Sequence, residues 1–96
     1  MSRIGKYVKA PTDVKKYNAD YDDWLDTGET IDEVTFSVSP SGALTADDET
    51  IDGDGRGFEF FVSGGNTGVT YTVLITIVTS GGQTKEDAVL FVVRAN

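Results

Sequence analysis

Beyond Gly28, apolar and polar positions alternate with a period of two. Val34, Phe36 and Val38 interleave with Thr35, Ser37 and Ser39, and Phe58, Phe60 and Val62 with Glu59, Phe61 and Ser63. Such alternation marks strands with one buried face. Two longer strands are predicted over 69–79 and 84–94, a short first strand over 14–19, and an edge strand over 43–46. Pro40-Ser41-Gly42, Gly64-Gly65-Asn66-Thr67-Gly68 and Ser80-Gly81-Gly82-Gln83 supply the turns between them. The segment Asp20-Tyr-Asp-Asp-Trp-Leu25 breaks the pattern. Asp20 or Asp22 can cap one short helical turn near residues 20–26, because a carboxylate accepts from unpaired N–H groups; Thr27-Gly28 then ends it. Residues 1–13 mix Gly5, Pro11 and lysines with isolated apolar residues, and read as an extended basic arm on a domain of residues 14–96.

Short strands between Gly-rich turns predict an all-β fold, a small immunoglobulin-like antiparallel β-sandwich. Phe36, Phe58, Phe60, Tyr71 and Leu90 are the expected centre of its core. A two- or four-residue loop between the last two strands pairs Tyr71 with Val92, Val73 with Leu90 and Ile75 with Ala88. Directly paired residues share a face, so that register puts Leu74, Val89, Phe91 and Val93 together on the opposite side. Four apolar neighbours there need a cover, which is the arm or the Trp24 turn, or else a binding partner. A three-residue loop would slip the register by one.

The chain has 96 residues, enough for one domain, and a formal net charge of −8. Residues 1–16 carry five cations against Asp13, 5 − 1 = +4; residues 17–96 carry three against fifteen acids, 3 − 15 = −12. The acidic total disfavours nucleic acid or an anionic membrane as main partner, while the basic arm suits an acidic neighbour, an identical copy included. The sequence has no Cys and no His, which removes disulfides, thiolate and imidazole metal ligands, and every triad with an imidazole base. No apolar segment follows the first cations as in a signal peptide, and the longest apolar stretch, Ala88 to Val93, is strand-sized.

The most metal-like stretch runs from Asp47 to Gly57. Asp48, Thr50 and Asp52, then Glu59, have the spacing of a calcium loop, but no helical pattern flanks them and Glu59 falls on the polar side of a strand. A solvated acidic turn fits better, so Asp48, Asp52 and Glu59 stand only as weak candidates and no cofactor is expected. The acids at 22, 23, 26, 29, 32 and 33 resemble paired catalytic carboxylates, yet a glycosidase pair needs a sugar-lined groove, and an enzyme is not expected. Gly64 to Gly68 precede a strand rather than a helix, so they do not read as a phosphate nest. Tyr7, Tyr17, Tyr21 and Trp24 could stack on bases or sugars, but packing with polar tips is the simpler use.

Four segments taken together resemble a known family. They are Tyr17-Asn-Ala-Asp-Tyr-Asp-Asp-Trp-Leu-Asp-Thr-Gly-Glu-Thr-Ile31, Val34-Thr-Phe-Ser-Val38, Val62-Ser-Gly-Gly-Asn-Thr-Gly-Val-Thr-Tyr-Thr-Val73 and Thr76-Ile-Val-Thr-Ser-Gly-Gly-Gln-Thr-Lys-Glu86. The sequence resembles the small tailed-phage virion proteins called fibre–tail adaptors over roughly residues 14–94. Phe36 stands where that pattern has Trp, and Gln83 where it commonly has Arg. The resemblance implies a non-enzymatic virion component, assembled in the host cytoplasm and held in several copies in the tail region. It would join fibre or baseplate parts to the tail or head–tail connector, with other virion proteins as partners and no small-molecule substrate. The expected interface is Arg3, Ile4, Lys6, Tyr7, Val8 and Lys9 on the arm with Leu74, Val89, Phe91 and Val93 on the sheet. A capsid decoration or cement protein, or a carbohydrate- or receptor-binding module using Trp24, Tyr21 and the acidic loop with calcium, are the alternatives.

Overall fold

The computed structural model describes residues 2–95, with side chains from Gly5 onward. Seven strands follow in order: β1 (Ser2–Lys9), β2 (Lys15–Asp20), β3 (Ile31–Ser39), β4 (Leu44–Ile51), β5 (Gly57–Gly64), β6 (Thr70–Thr79) and β7 (Thr84–Val93). They form a four-stranded sheet, β1-β7-β6-β3, and a three-stranded sheet, β2-β5-β4. The described residues contain no helix. The turn expected near 20–26 is instead two bonds onto one carbonyl: Trp24 N and Leu25 N both donate to Tyr21 O at 3.0 Å. A helix does not propagate from it because the next carbonyls are taken by a side chain, described below.

Residues 2–9 of the segment expected as an arm form an edge strand, paired in parallel with β7, so the larger sheet is mixed rather than purely antiparallel. The acidic stretch 47–57, expected as a loop or weak hairpin, turns between two paired strands and is partly strand. β4 runs on through a bulge between Asp47 and Thr50, where Asp48 takes a φ of 54°. Asp tolerates that left-handed conformation better than most residues.

The core fills the space between the sheets. Tyr17, Phe58, Phe60 and Val62 from one meet Tyr71, Val73, Ile75, Ile77, Phe91 and Val93 from the other. Phe36 lies 5.1 Å from Phe60 between ring centroids, and Tyr17 lies 5.1 Å from Phe91. Of the five expected core residues, Phe58, Phe60 and Tyr71 are buried, Phe36 packs against them part-buried, and Leu90 faces outward.

Leu90 is misplaced because the β6–β7 register is offset by one residue from the expected one. Tyr71 pairs with Phe91, Val73 with Val89 and Ile75 with Asp87. The loop has three residues: Thr79 N donates to Gln83 O at 2.9 Å and Gly82 N returns to Thr79 O at 3.0 Å. Gly82 makes this possible, because a three-residue hairpin loop ends in a left-handed residue and its φ is 81°.

Candidate docking surfaces

The corrected register decides which residues a partner can reach. Val89, Phe91 and Val93 are 3%, 0% and 0% exposed and belong to the core. They cannot form the outer face assigned to them from the sequence, and of that quartet only Leu74 points outward. The outer face of the larger sheet instead carries Val8 on β1, Ala88, Leu90 and Val92 on β7, and Leu74 on β6. Val8 is 52% exposed and Leu74, Leu90 and Val92 are partly so. Thr70, Thr72 and Thr76 border this row on β6, and Thr35, Ser37 and Ser39 follow on β3. The result is an apolar stripe with a hydroxyl margin, on a sheet face that no other strand covers among the described residues.

The β1 candidates separate by face. Lys6 and Val8 point outward, paired with Leu90 and Val92. Tyr7 turns inward and leans on Tyr17 and Phe91, with ring centroids 4.7 and 5.6 Å away, yet stays 39% exposed at the sandwich rim. Lys9 is buried, not displayed; its ammonium donates to Ala10 O at 2.7 Å and Gly64 O at 2.5 Å. Burial pulls its pKa down, against the raising influence of Asp13. Lys9 therefore ties β1 to the end of β5 and offers nothing to a partner. The side chains of Arg3 and Ile4 lie outside the described residues.

The aromatic set of Tyr7, Tyr17, Tyr21 and Trp24 is mostly internal. Tyr17 and Tyr21 are buried, Tyr21 stacks at 6.0 Å on Phe58, and Trp24 lies edge-on to Tyr21. Tyr21 also bonds Asp87, which the register carries into the core at 0% exposure beside Lys85 at 3.5 Å. Burial first, then that bond and the Asp87 charge, push the Tyr21 phenol far up. Lys85 sits 5.4 Å over the Trp24 ring, so a cation, a carboxylate and two aromatics close this end of the sandwich together.

Sequence reading missed the junction that fixes residues 22–29. Arg56 threads into that loop. Its Nε meets Asp22 Oδ1 at 2.5 Å, Nη1 donates to Asp26 O and Glu29 O at 2.9 Å each, and Nη2 donates to Asp22 O at 2.8 Å and Leu25 O at 3.3 Å. One planar guanidinium thus satisfies the carbonyls that a continuing helix would have paired. Gly55 beside it has a φ of 72°, and a Cβ there would come within 2.7 Å of the Thr30 side chain. Glu29 is buried and accepts from the Thr79 hydroxyl, from Asp26 N at 3.0 Å and from Gln83 Nε2 at 2.9 Å. The Thr79 and Asp26 donors, with Gln83 and Gly81, hold its carboxyl below the usual range against the opposing push of burial. Gln83 thus serves this junction as a donor.

The weak metal candidates do not converge. Asp48 sits at the β4 bulge, Asp52 begins the β4–β5 turn, and Glu59 faces Lys16 at 3.4 Å on the outer side of the smaller sheet. Among the described residues no group of three or more Asp or Glu is gathered as a metal site.

Two sheets around a shared aromatic core, with an uncovered apolar stripe, define a small β-sheet protein whose distinctive features are surfaces. Residues 9–92 match the family described as podophage GP4 fiber-tail adaptor protein gp77, and the chain belongs to that family. It is therefore a phage fibre–tail adaptor structural protein, as the sequence resemblance implied. No curated protein matches the chain.

Proposed function

We propose that the chain is a non-enzymatic adaptor in the tail region of the virion, joining fibre or baseplate components to the tail or head–tail connector. Its two sheets serve as a rigid immunoglobulin-like body, and the outer face of the larger sheet is the docking surface. The observation that carries this reading is the stripe of Val8, Leu74, Leu90 and Val92, which the fold leaves without a cover. Desolvating such a stripe supplies a driving force of about 25 cal/mol per Å² of apolar area. The threonine and serine margin suits the polar rim that surrounds the dry centre of most interfaces. Lys6, outward beside Leu90, adds a charge at the border. Several copies in one particle would add their contacts and turn modest single affinities into firm attachment.

The test is a pair of variants, Leu90→Ser with Val92→Ser, and Val8→Ser alone. Both are expected to fold, since the positions are outside the core, and both to enter particles at a fraction of the normal amount. Normal incorporation of the folded double variant would reject this face.

A further inference from the structure

The outer stripe has a shape and a polarity. Ala88, Leu90 and Val92 run along β7, with Val8 on one side and Leu74 on the other. Four residue steps along β7 give the stripe a length of about 13 Å, and two strand spacings give it a width of about 10 Å. The hydroxyls of Thr72 and Thr76 on β6, then Thr35 and Ser37 on β3, border it. Glu86 stands on the same face two residues before Ala88. Arg94 follows Val92 at the far end, where its N–H donates to Lys9 O at 2.9 Å and continues the pairing with β1. Both are exposed, as is Lys6, level with Leu90 on the β1 flank. The face is thus acidic where β7 begins and basic where it ends.

We infer that the element covering this stripe is an amphipathic α-helix of another virion protein, lying along β7 with its N-terminus toward Glu86. The inference rests on the docking face proposed above and adds the form and direction of what docks there. A helix is about 10–12 Å across with its side chains, which matches the width of the stripe, and it buries one apolar strip against a sheet. A second sheet would spread over several strands and dry the bordering hydroxyls without giving them partners. An added strand joins a sheet edge through its backbone and leaves the face bare. Along about 13 Å a helix makes about two and a half turns, so apolar side chains at i, i+4 and i+7 meet the stripe. Its macrodipole is positive at the N-terminus and negative at the C-terminus. Those ends match Glu86 and Arg94 in this direction and oppose them in the other. Among the described residues this chain has no helix, so a second copy does not supply one.

Thr76, level with Glu86, and Thr70, level with Val92, flank the stripe without belonging to it. Thr70→Bpa and Thr76→Bpa, where Bpa is the photoreactive p-benzoylphenylalanine, are each built into particles and irradiated, and the crosslinked peptides are mapped by mass spectrometry. The two positions lie 76 − 70 = 6 residues apart on β6, a distance of about 20 Å. A helix covers that distance in about 13 residues, an extended segment in about six. Both variants are expected to capture one segment of another virion protein, at sites about 13 residues apart, with Thr76→Bpa reaching the site nearer the N-terminus. A spacing of about six overturns the helix, and the reverse order overturns its direction. Capture of another copy of this chain, of two unrelated segments, or of nothing overturns the inference entirely. Glu86→Lys with Arg94→Glu is expected to lower particle incorporation several-fold with an unchanged circular dichroism spectrum. Unchanged incorporation also overturns the direction. Failure of the docking face itself shows up separately, as normal incorporation of the Leu90→Ser/Val92→Ser variant. If that variant is excluded from particles and the spacing is about six, the face stands and only the helix is wrong.

Discussion

Two side chains hold the irregular part of the chain, and each can be tested alone. Arg56 reaches four carbonyls and one carboxylate through a fork that only a guanidinium provides. Arg56→Lys keeps the charge but loses the fork, and is expected to cost about 1–3 kcal/mol in chemical denaturation. Equal stability of the two would show that the geometry is dispensable. Glu29 makes a pH prediction. Its folded pKa is depressed by the Thr79, Asp26, Gln83 and Gly81 donors. An unfolded glutamate titrates near 4.3, so the stability from these bonds is complete above that value and is lost as pH falls through the lower folded value. Denaturation followed from about pH 6 to about pH 3 should therefore show a decline that Glu29→Gln flattens. A variant with an unchanged slope would remove Glu29 from the acid response.

At the level of elements, the hairpin of β6 and β7 is where sequence and structure part. Both faces of β7 are apolar: Ala88, Leu90 and Val92 on one, Val89, Phe91 and Val93 on the other. Alternation alone cannot rank them, and Asp87 argues for the wrong choice because the true register buries it. The fold accepts that burial through Lys85, two positions earlier on the same strand, and through the Tyr21 hydroxyl, which a two-strand pattern does not show. The bulk of Phe91 was the available signal, since it fills more core than any side chain on the other face. Strands β2, β3, β5 and β6 were legible because one face of each is mostly polar. β1 was not, because its partner is the far end of the chain and parallel pairing leaves no local turn to read. The outer stripe was hidden by the same slip, and only Leu74 survives from the sheet residues first assigned to it. Phe91→Ala is expected to lose about 3–5 kcal/mol, and Leu90→Ser no more than about 1 kcal/mol. Thermal or urea melts that reverse this order would restore the other register.

For the whole molecule, family membership settles the class, and the strand order leaves an apolar stripe on one broad side. The same order has a kinetic consequence. β7 comes after the other six described strands in the sequence, yet it lies inside the larger sheet, with β1 on one flank and β6 on the other. Until β7 has been made, β1 therefore has no mate and β6 lacks one of its two. The larger sheet closes only when β1 and β7, separated in sequence by the other five strands, find each other. Such non-local pairing slows folding and leaves sticky strands bare in the interval. Damage to the ten residues of β7 would strand both neighbours at once, making this strand the least dispensable of the larger sheet.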